Sequence, residues 1–178
     1  NDVNHKTIVK PESTSSSSYI VFKAFILKKN TVAKYKNKAS RDLEDWKSIE
    51  RNHSYHYASD GNRENNLGSL VAALELRSAA VRLTGASGLG KTRLLLRAID
   101  ASASIDDSCV IIFNSPGYET TINESIRSMV EDRVHGLVVI ENCSIESHNH
   151  LANEVNKTEC LLKLVTVGYS DDQVDDSI

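Results

Sequence analysis

The sequence predicts an α/β fold in which helices cover both faces of a parallel sheet, giving three layers. Three observations predict it. Short apolar runs alternate along residues 62–178 with segments whose apolar residues recur at the spacing of a helix. Each run is almost wholly apolar, which is typical of strands that are covered on both sides. A regular alternation of strands and helices is the arrangement that builds a parallel sheet.

Length and charge limit the class of protein. The chain has 178 residues, 40% of them hydrophobic, which is enough for one globular unit. A net charge of −3 argues against a nucleic-acid coat protein, and we do not expect this segment to bind nucleic acid. The longest apolar run, residues 19–27, is too short to cross a membrane, and residues 1–10 lack the apolar stretch of a signal peptide. These features predict a cytoplasmic protein with no membrane partner. Because the chain begins at Asn1, we expect it to be a piece of a longer protein.

Two segments precede the α/β core. Residues 1–18 end in a serine run and are predicted to be a disordered tail or linker. Residues 19–61 are predicted to be a small N-terminal helical segment, because residues 40–52 place apolar side chains three positions apart. These side chains are Leu43, Trp46 and Ile49.

The predicted core, residues 62–178, begins with a helix and then alternates. The first helix carries Leu67, Leu70, Val71 and Leu74 on one face. Strands are predicted at residues 79–83, 110–113, 137–140 and 161–167, and further helices at 91–101, from 121 onward and at 148–155. Thr121 and Glu124 have the spacing of a capping box that opens the helix from residue 121 onward. No fifth strand is visible after residue 167, so we expect the sheet to be incomplete at its C-terminal end.

One stretch has a phosphate-binding pattern. Residues 85–92, G-A-S-G-L-G-K-T, fit the P-loop pattern G-x-x-x-x-G-K-[ST] at every fixed position and lie between a predicted strand and a predicted helix. Glycines let the backbone amides point inward, and the helix N-terminus adds partial positive charge. Lys91 is predicted to bind the β- and γ-phosphates of ATP, and Thr92 to coordinate Mg²⁺. The predicted nucleotide-binding residues are Gly85, Ala86, Ser87, Gly88, Leu89, Gly90, Lys91, Thr92 and Arg93.

A P-loop needs an acidic residue at the tip of a neighbouring strand. Glu141 follows the apolar run 137–140 and is predicted to be this catalytic, metal-side acid. The next residue is Asn142, where many ATPases have a second acid. Asparagine can hold a water molecule but cannot accept a proton, so hydrolysis is predicted to be slow.

The strand count fits the branch of P-loop proteins in which a fourth strand lies between the strand before the P-loop and the strand with the acidic tip, here the one that ends at Glu141. Such a strand can present a polar residue to the γ-phosphate. Thr166, near its end, therefore has two interpretations. It is either a γ-phosphate sensor, or a strand threonine whose hydroxyl bonds to the backbone.

These residues resemble a known family. Residues 80–95, A-V-R-L-T-G-A-S-G-L-G-K-T-R-L-L, resemble the P-loop segment of bacterial STAND-class NTPases, which are signal-transducing relatives of AAA+ proteins and include NACHT-like proteins. Residues 137–143, L-V-V-I-E-N-C, and 164–169, L-V-T-V-G-Y, are similar to the acid and sensor strands of one bacterial STAND group. Some members of the class are antiviral sensors. The resemblance implies an ATP-controlled switch, further domains in a longer parent chain, and self-association on activation.

Three functions remain open on the sequence alone. The first is a Mg–ATP-binding domain of a STAND-type signalling or defence regulator that hydrolyses ATP slowly. The second is a nucleotide-binding interaction module without turnover, which Asn142 and the missing fifth strand favour. The third is a small P-loop phosphotransferase. Acidic residues at 171–176 argue against the third, because they would repel a phosphorylated acceptor.

Overall fold

The computed structural model describes residues 32–51, 61–76, 79–156 and 161–169. The predicted tail at residues 1–18 and the acidic stretch at 171–176 lie outside these ranges. Within them the chain has the predicted α/β architecture.

Five strands form one mixed sheet. They are β1 (Ser40–Arg41), β2 (Ala79–Leu83), β3 (Val110–Asn114), β4 (His135–Glu141) and β5 (Leu161–Val167), in the order β1-β3-β4-β5-β2. The pairs β3–β4, β4–β5 and β5–β2 are parallel, and β1 runs antiparallel to β3 at one edge. The four predicted strands are confirmed, and β5 lies between β2 and β4 as predicted. The carboxyl ends of β2, β5 and β4 are therefore neighbours.

Helices cover both faces of this sheet. In the described residues they are α1 (Leu43–Arg51), α2 (Gly61–Glu75), α3 (Lys91–Ala101), α4 (Glu119–Glu131) and α5 (Ile145–Asn156). Buried side chains of α1, α2 and α3 belong to one hydrophobic cluster, and those of α4 and α5 belong to another. None of these helices combines the length and the apolar composition that a bilayer span requires.

Side-chain alternation within the strands builds both halves of the core. In β4, Leu137 and Val139 belong to the cluster that includes Leu95 of α3, whereas Val138 and Ile140 belong to the cluster of α4 and α5. These four side chains are each at most 1% exposed. Burial on both faces is why this strand is an uninterrupted apolar run in the sequence.

The segment before the predicted core packs into the same two clusters. Ser40 and Arg41 form β1 instead of the first turn of the predicted helix, and the helix itself begins at Leu43. Trp46 is 1% exposed, but Ile49 is 42% exposed, so its assignment to the apolar stripe is wrong. With 3.6 residues per turn, positions three apart drift by about 60° at each step. The third member of the series therefore turns away from the core.

The predicted capping box is also wrong. Helix α4 begins at Glu119, two residues before Thr121, and its N-cap Tyr118 makes no side-chain capping bond. The backbone N–H of Gly117 instead donates to Glu119 Oε1 at 3.2 Å. Gly117 has a left-handed φ of 80°, and Thr121 lies inside the first turn of the helix.

Gly136 of β4 is the glycine whose replacement we expect to be most harmful to the fold. Its φ is +145°, and an added Cβ would lie 2.5 Å from the carbonyl oxygen of Cys109 and 2.9 Å from Val32 Cγ2. Overpacking and backbone strain together predict that Gly136→Ala lowers the free energy of unfolding by about 3 kcal/mol. Urea unfolding measures this change. Gly68→Ala is the matched control, because nothing lies within 4 Å of its added Cβ. Alanine in this helix should leave stability equal or raise it by about 1 kcal/mol. Equal unfolding midpoints for the two variants would contradict the prediction.

Candidate functional site

A cavity of about 520 Å³ lies at the carboxyl ends of β2, β4 and β5. Open α/β sheets bind ligands at this edge, where loops from several strands converge. The lining residues come from the loop after β2, the start of α3, and the ends of β4 and β5. They are Ser87, Gly88, Gly90, Lys91, Thr92, Arg93, Glu141, Asn142, Val167, Gly168 and Tyr169.

The loop between β2 and α3 is shaped by three glycines. Gly85, Gly88 and Gly90 have φ values of 141°, 79° and 79°, a region that side chains disfavour. Gly90 is also the N-cap of α3, and it makes no side-chain capping bond. The first amides of a helix have no acceptor within the helix, so they are available to an anion. The predicted strand–loop–helix arrangement around the P-loop pattern is confirmed.

The side chain of Lys91 folds back over this loop. Its Nζ donates hydrogen bonds to the carbonyl oxygens of Gly85 at 2.7 Å and Ala86 at 2.8 Å. It also lies 5.4 Å from the centre of the Tyr169 ring, within range of a cation–π interaction. Burial lowers the pKa of Lys91 below its usual value. The ammonium group of Lys91 is thus held by neutral acceptors that a more negative group could replace.

Two further predicted residues meet at the other wall of the cavity. Glu141 is the last residue of β4 and is half-buried, and Asn142 follows with a φ of 53°. The side-chain amide of Asn142 donates to Asn114 Oδ1 at 2.9 Å, and Asn114 ends the neighbouring strand β3. The backbone N–H of Ser115 donates to the Glu141 carbonyl at 3.0 Å. The ends of β3 and β4 are therefore tied together where Glu141 faces the cavity.

The donor set suits a hard divalent cation. Thr92 and Glu141 both line the cavity and supply a hydroxyl and a carboxylate oxygen. Mg²⁺ prefers oxygen ligands and is usually bound by one or two protein oxygens together with phosphate and water. The residues therefore fit the predicted magnesium ion, with Thr92 and Glu141 as the protein groups that would hold it.

Thr166 is not among the residues that line the cavity. Its neighbour Val167 belongs to the cluster on the α3 side, so strand alternation directs Thr166 to the opposite face. There its Oγ1 lies 2.8 Å from Nδ1 of His148 on α5, and the threonine is fully buried. Burial, and secondarily the charge of Arg82, lowers the pKa of His148 and favours the neutral imidazole. In this structure the hydroxyl therefore faces His148 rather than the cavity, and the role of Thr166 as a phosphate sensor stays a prediction.

Not every predicted loop residue reaches the cavity. Ser87, Gly88, Gly90, Lys91, Thr92 and Arg93 line it, together with Glu141 and Asn142. Gly85 and Ala86 contribute through the carbonyls that accept from Lys91. The side chain of Leu89 is 56% exposed and does not line the cavity.

Two residues in this region, Tyr169 and Arg82, were not among the predicted site residues. Tyr169 forms part of the cavity wall and lies against Lys91, although its side chain is 57% exposed. Arg82 of β2 donates through Nη1 to the carbonyls of Cys143 at 3.1 Å and Ser144 at 3.0 Å. The sequence offers one signal for Arg82, since it is the one charged residue of the apolar strand A-A-V-R-L.

Comparison with known proteins adds no assignment. No protein-family model matches this chain, and no curated protein matches it in sequence.

Proposed function

We propose that this chain is a Mg–ATP-binding P-loop domain that hydrolyses ATP slowly and acts as a conformational switch in a STAND-type signalling or defence regulator. The observation that carries the proposal is the glycine-shaped loop at the N-terminus of α3, with Lys91, Thr92 and Glu141 around one cavity. The cavity volume of about 520 Å³ is within the usual range for small-molecule sites.

In this proposal each group has a distinct task. The loop amides and Lys91 bind the β- and γ-phosphates, where a charged donor contributes more than a neutral one. Thr92 and Glu141 hold Mg²⁺, which neutralises part of the phosphate charge. Lys91 exchanges the carbonyls of Gly85 and Ala86 for phosphate oxygens. Nucleotide binding therefore changes the contacts that hold the loop between β2 and α3.

Slow turnover follows from the amides beside Glu141. Asn142 is paired to Asn114, and neither side chain can accept a proton from an attacking water molecule. The same observation favours a second candidate, a nucleotide-binding interaction module with no turnover. The two candidates share the binding site and differ only in chemistry.

Calorimetric titration with ATP in the presence of Mg²⁺ tests the binding step. We expect saturable binding at a stoichiometry of about one, because the sequence carries one P-loop pattern. Absence of binding at millimolar ATP would refute both candidates. Phosphate release then separates them: the switch requires slow turnover that falls in Glu141→Gln, whereas equal rates in both proteins favour the module. A parallel titration with GTP determines which base is preferred.

A further inference from the structure

Arg82 connects the strand before the P-loop to the turn after Glu141. It is the fourth residue of β2, and Leu83 and Thr84 separate it from Gly85. Its guanidinium passes the end of the intervening strand β5 and donates through Nη1 to the carbonyls of Cys143 and Ser144. One side chain therefore bridges the two segments that carry Lys91 and Glu141.

Gly168 makes room for this bridge. A Cβ at Gly168 would lie 2.5 Å from the Cys143 carbonyl oxygen and 2.6 Å from Arg82 Nη2. The backbone N–H of Gly168 donates to the Leu83 carbonyl at 3.0 Å, and the N–H of Cys143 donates to the Val167 carbonyl at 3.0 Å. The ends of β2, β5 and β4 are thus fastened by backbone bonds as well as by the guanidinium.

A purely stabilising role does not account well for an arginine at this position. Its Nε is buried and has no hydrogen-bond partner among the described residues. Both bonds of Nη1 are accepted by backbone carbonyls rather than by a carboxylate. Removing a guanidinium from water is costly, and apolar residues of similar volume are often at least as stabilising in such positions. What arginine adds is a permanently charged, planar group whose Nη1 holds two carbonyls at once.

We propose that Arg82 is a positioning residue, which fixes the turn after β4 so that Glu141 faces the metal side of the phosphate cavity. The inference rests on the proposed function, because the metal-side role of Glu141 belongs to it. Arg82 does not line the phosphate cavity, so it acts through the turn that it holds. Its effect must therefore appear in the contribution of Mg²⁺ to ATP binding and not in the contact of the P-loop with phosphate.

The test compares ATP affinity with Mg²⁺ and with excess EDTA, in the wild type, Arg82→Met and Arg82→Lys. We expect Mg²⁺ to tighten binding in the wild type and this gain to fall on the order of tenfold in Arg82→Met, the equivalent of about one charge-assisted hydrogen bond. Affinity in EDTA should stay within about twofold of the wild type, since the P-loop keeps its contacts. Lysine keeps the charge but has a shorter side chain without the planar guanidinium, so Arg82→Lys should restore part of the gain.

Controls separate this result from a loss of structure. Arg97→Met removes a cation from the exposed side of α3 and should leave the Mg²⁺ gain unchanged. If Arg82→Met does not fold, Arg82→Gln tests the same bridge with an uncharged side chain, and it should reduce the same gain. A full Mg²⁺ gain in Arg82→Met, or in Arg82→Gln in its place, would overturn the inference and leave the proposed function standing. No ATP binding by the wild type would instead overturn the proposed function, and this inference with it.

Discussion

Replacement of Lys91 by methionine is expected to weaken ATP binding by about ten- to a hundredfold or more. Each charge-assisted contact contributes roughly 1.5–3 kcal/mol, and every 1.4 kcal/mol is a tenfold change in affinity. Methionine retains much of the apolar stem and loses the ammonium group. In this structure Lys91 donates to the neutral carbonyls of Gly85 and Ala86, and it must give up these bonds to bind phosphate. The loss reduces the free energy that Lys91 contributes to ATP binding but does not cancel it, because a charged acceptor forms the stronger hydrogen bond.

Calorimetric titration measures the loss, and Arg97→Met is the matched control. Arg97 is on the same helix, is exposed and forms an ion pair with Glu64 at 3.4 Å. Its replacement removes the same unit of charge from α3 without touching the cavity lining. Equal affinities of Lys91→Met and the wild type would remove Lys91 from the site. If Lys91→Met and Arg97→Met lost the same ATP affinity, the effect of Lys91 would be explained by the net charge of the helix alone.

The second large effect is expected at Glu141. Glu141→Gln keeps the size of the side chain but removes the carboxylate charge that the proposal assigns to Mg²⁺. We expect most of the affinity gained from Mg²⁺ to disappear, on the order of tenfold or more, because carboxylates are the protein ligands that hard divalent ions prefer. Binding of ATP in EDTA should be equal or slightly tighter, since one negative charge near the phosphates is gone.

A loss of affinity that occurs with Mg²⁺ and not in EDTA distinguishes a metal-side acid from a structural one. Glu146→Gln is the control, because Glu146 is exposed in the first turn of α5 and does not line the cavity. Affinity measured with and without Mg²⁺ should match the wild type in this control. A Glu141→Gln variant that keeps the full gain from Mg²⁺ would show that another group holds the metal.

The strands and the P-loop segment were predictable because their signals are local. β2 and β5 have the predicted bounds, and α3 begins at Lys91 as expected, since apolar runs and a glycine pattern are written in consecutive residues. Helix α5 begins three residues earlier than predicted, at Ile145. There the backbone N–H of Ser147 donates to Ser144 Oγ at 3.1 Å, a capping bond that the apolar pattern does not reveal.

What the sequence did not predict depends on contacts between distant segments. β1 is only two residues long and exists because Ser40 and Arg41 pair with Phe113 and Ile112. The partner of Thr166 is His148, on a different element, so its direction depends on register and not on its own neighbours. The site was predictable only where its residues are contiguous in the chain, as they are in the P-loop segment.

The bridge from Arg82 to the turn after Glu141 is also a long-range feature. The residues that it joins are about 60 positions apart in the chain, and β5 lies between their strands. No short-range pattern encodes such a contact. The isolated charge in an apolar strand was its only sign in the sequence.

The most direct test is a crystal structure of the protein grown with Mg²⁺ and a non-hydrolysable ATP analogue. The proposed binding mode places the β- and γ-phosphates against the backbone amides of residues 87–92. Lys91 Nζ should have left the carbonyls of Gly85 and Ala86 for phosphate oxygens, with the metal beside Thr92 and Glu141. Phosphates bound elsewhere, or Lys91 still bonded to both carbonyls in an occupied complex, would contradict it.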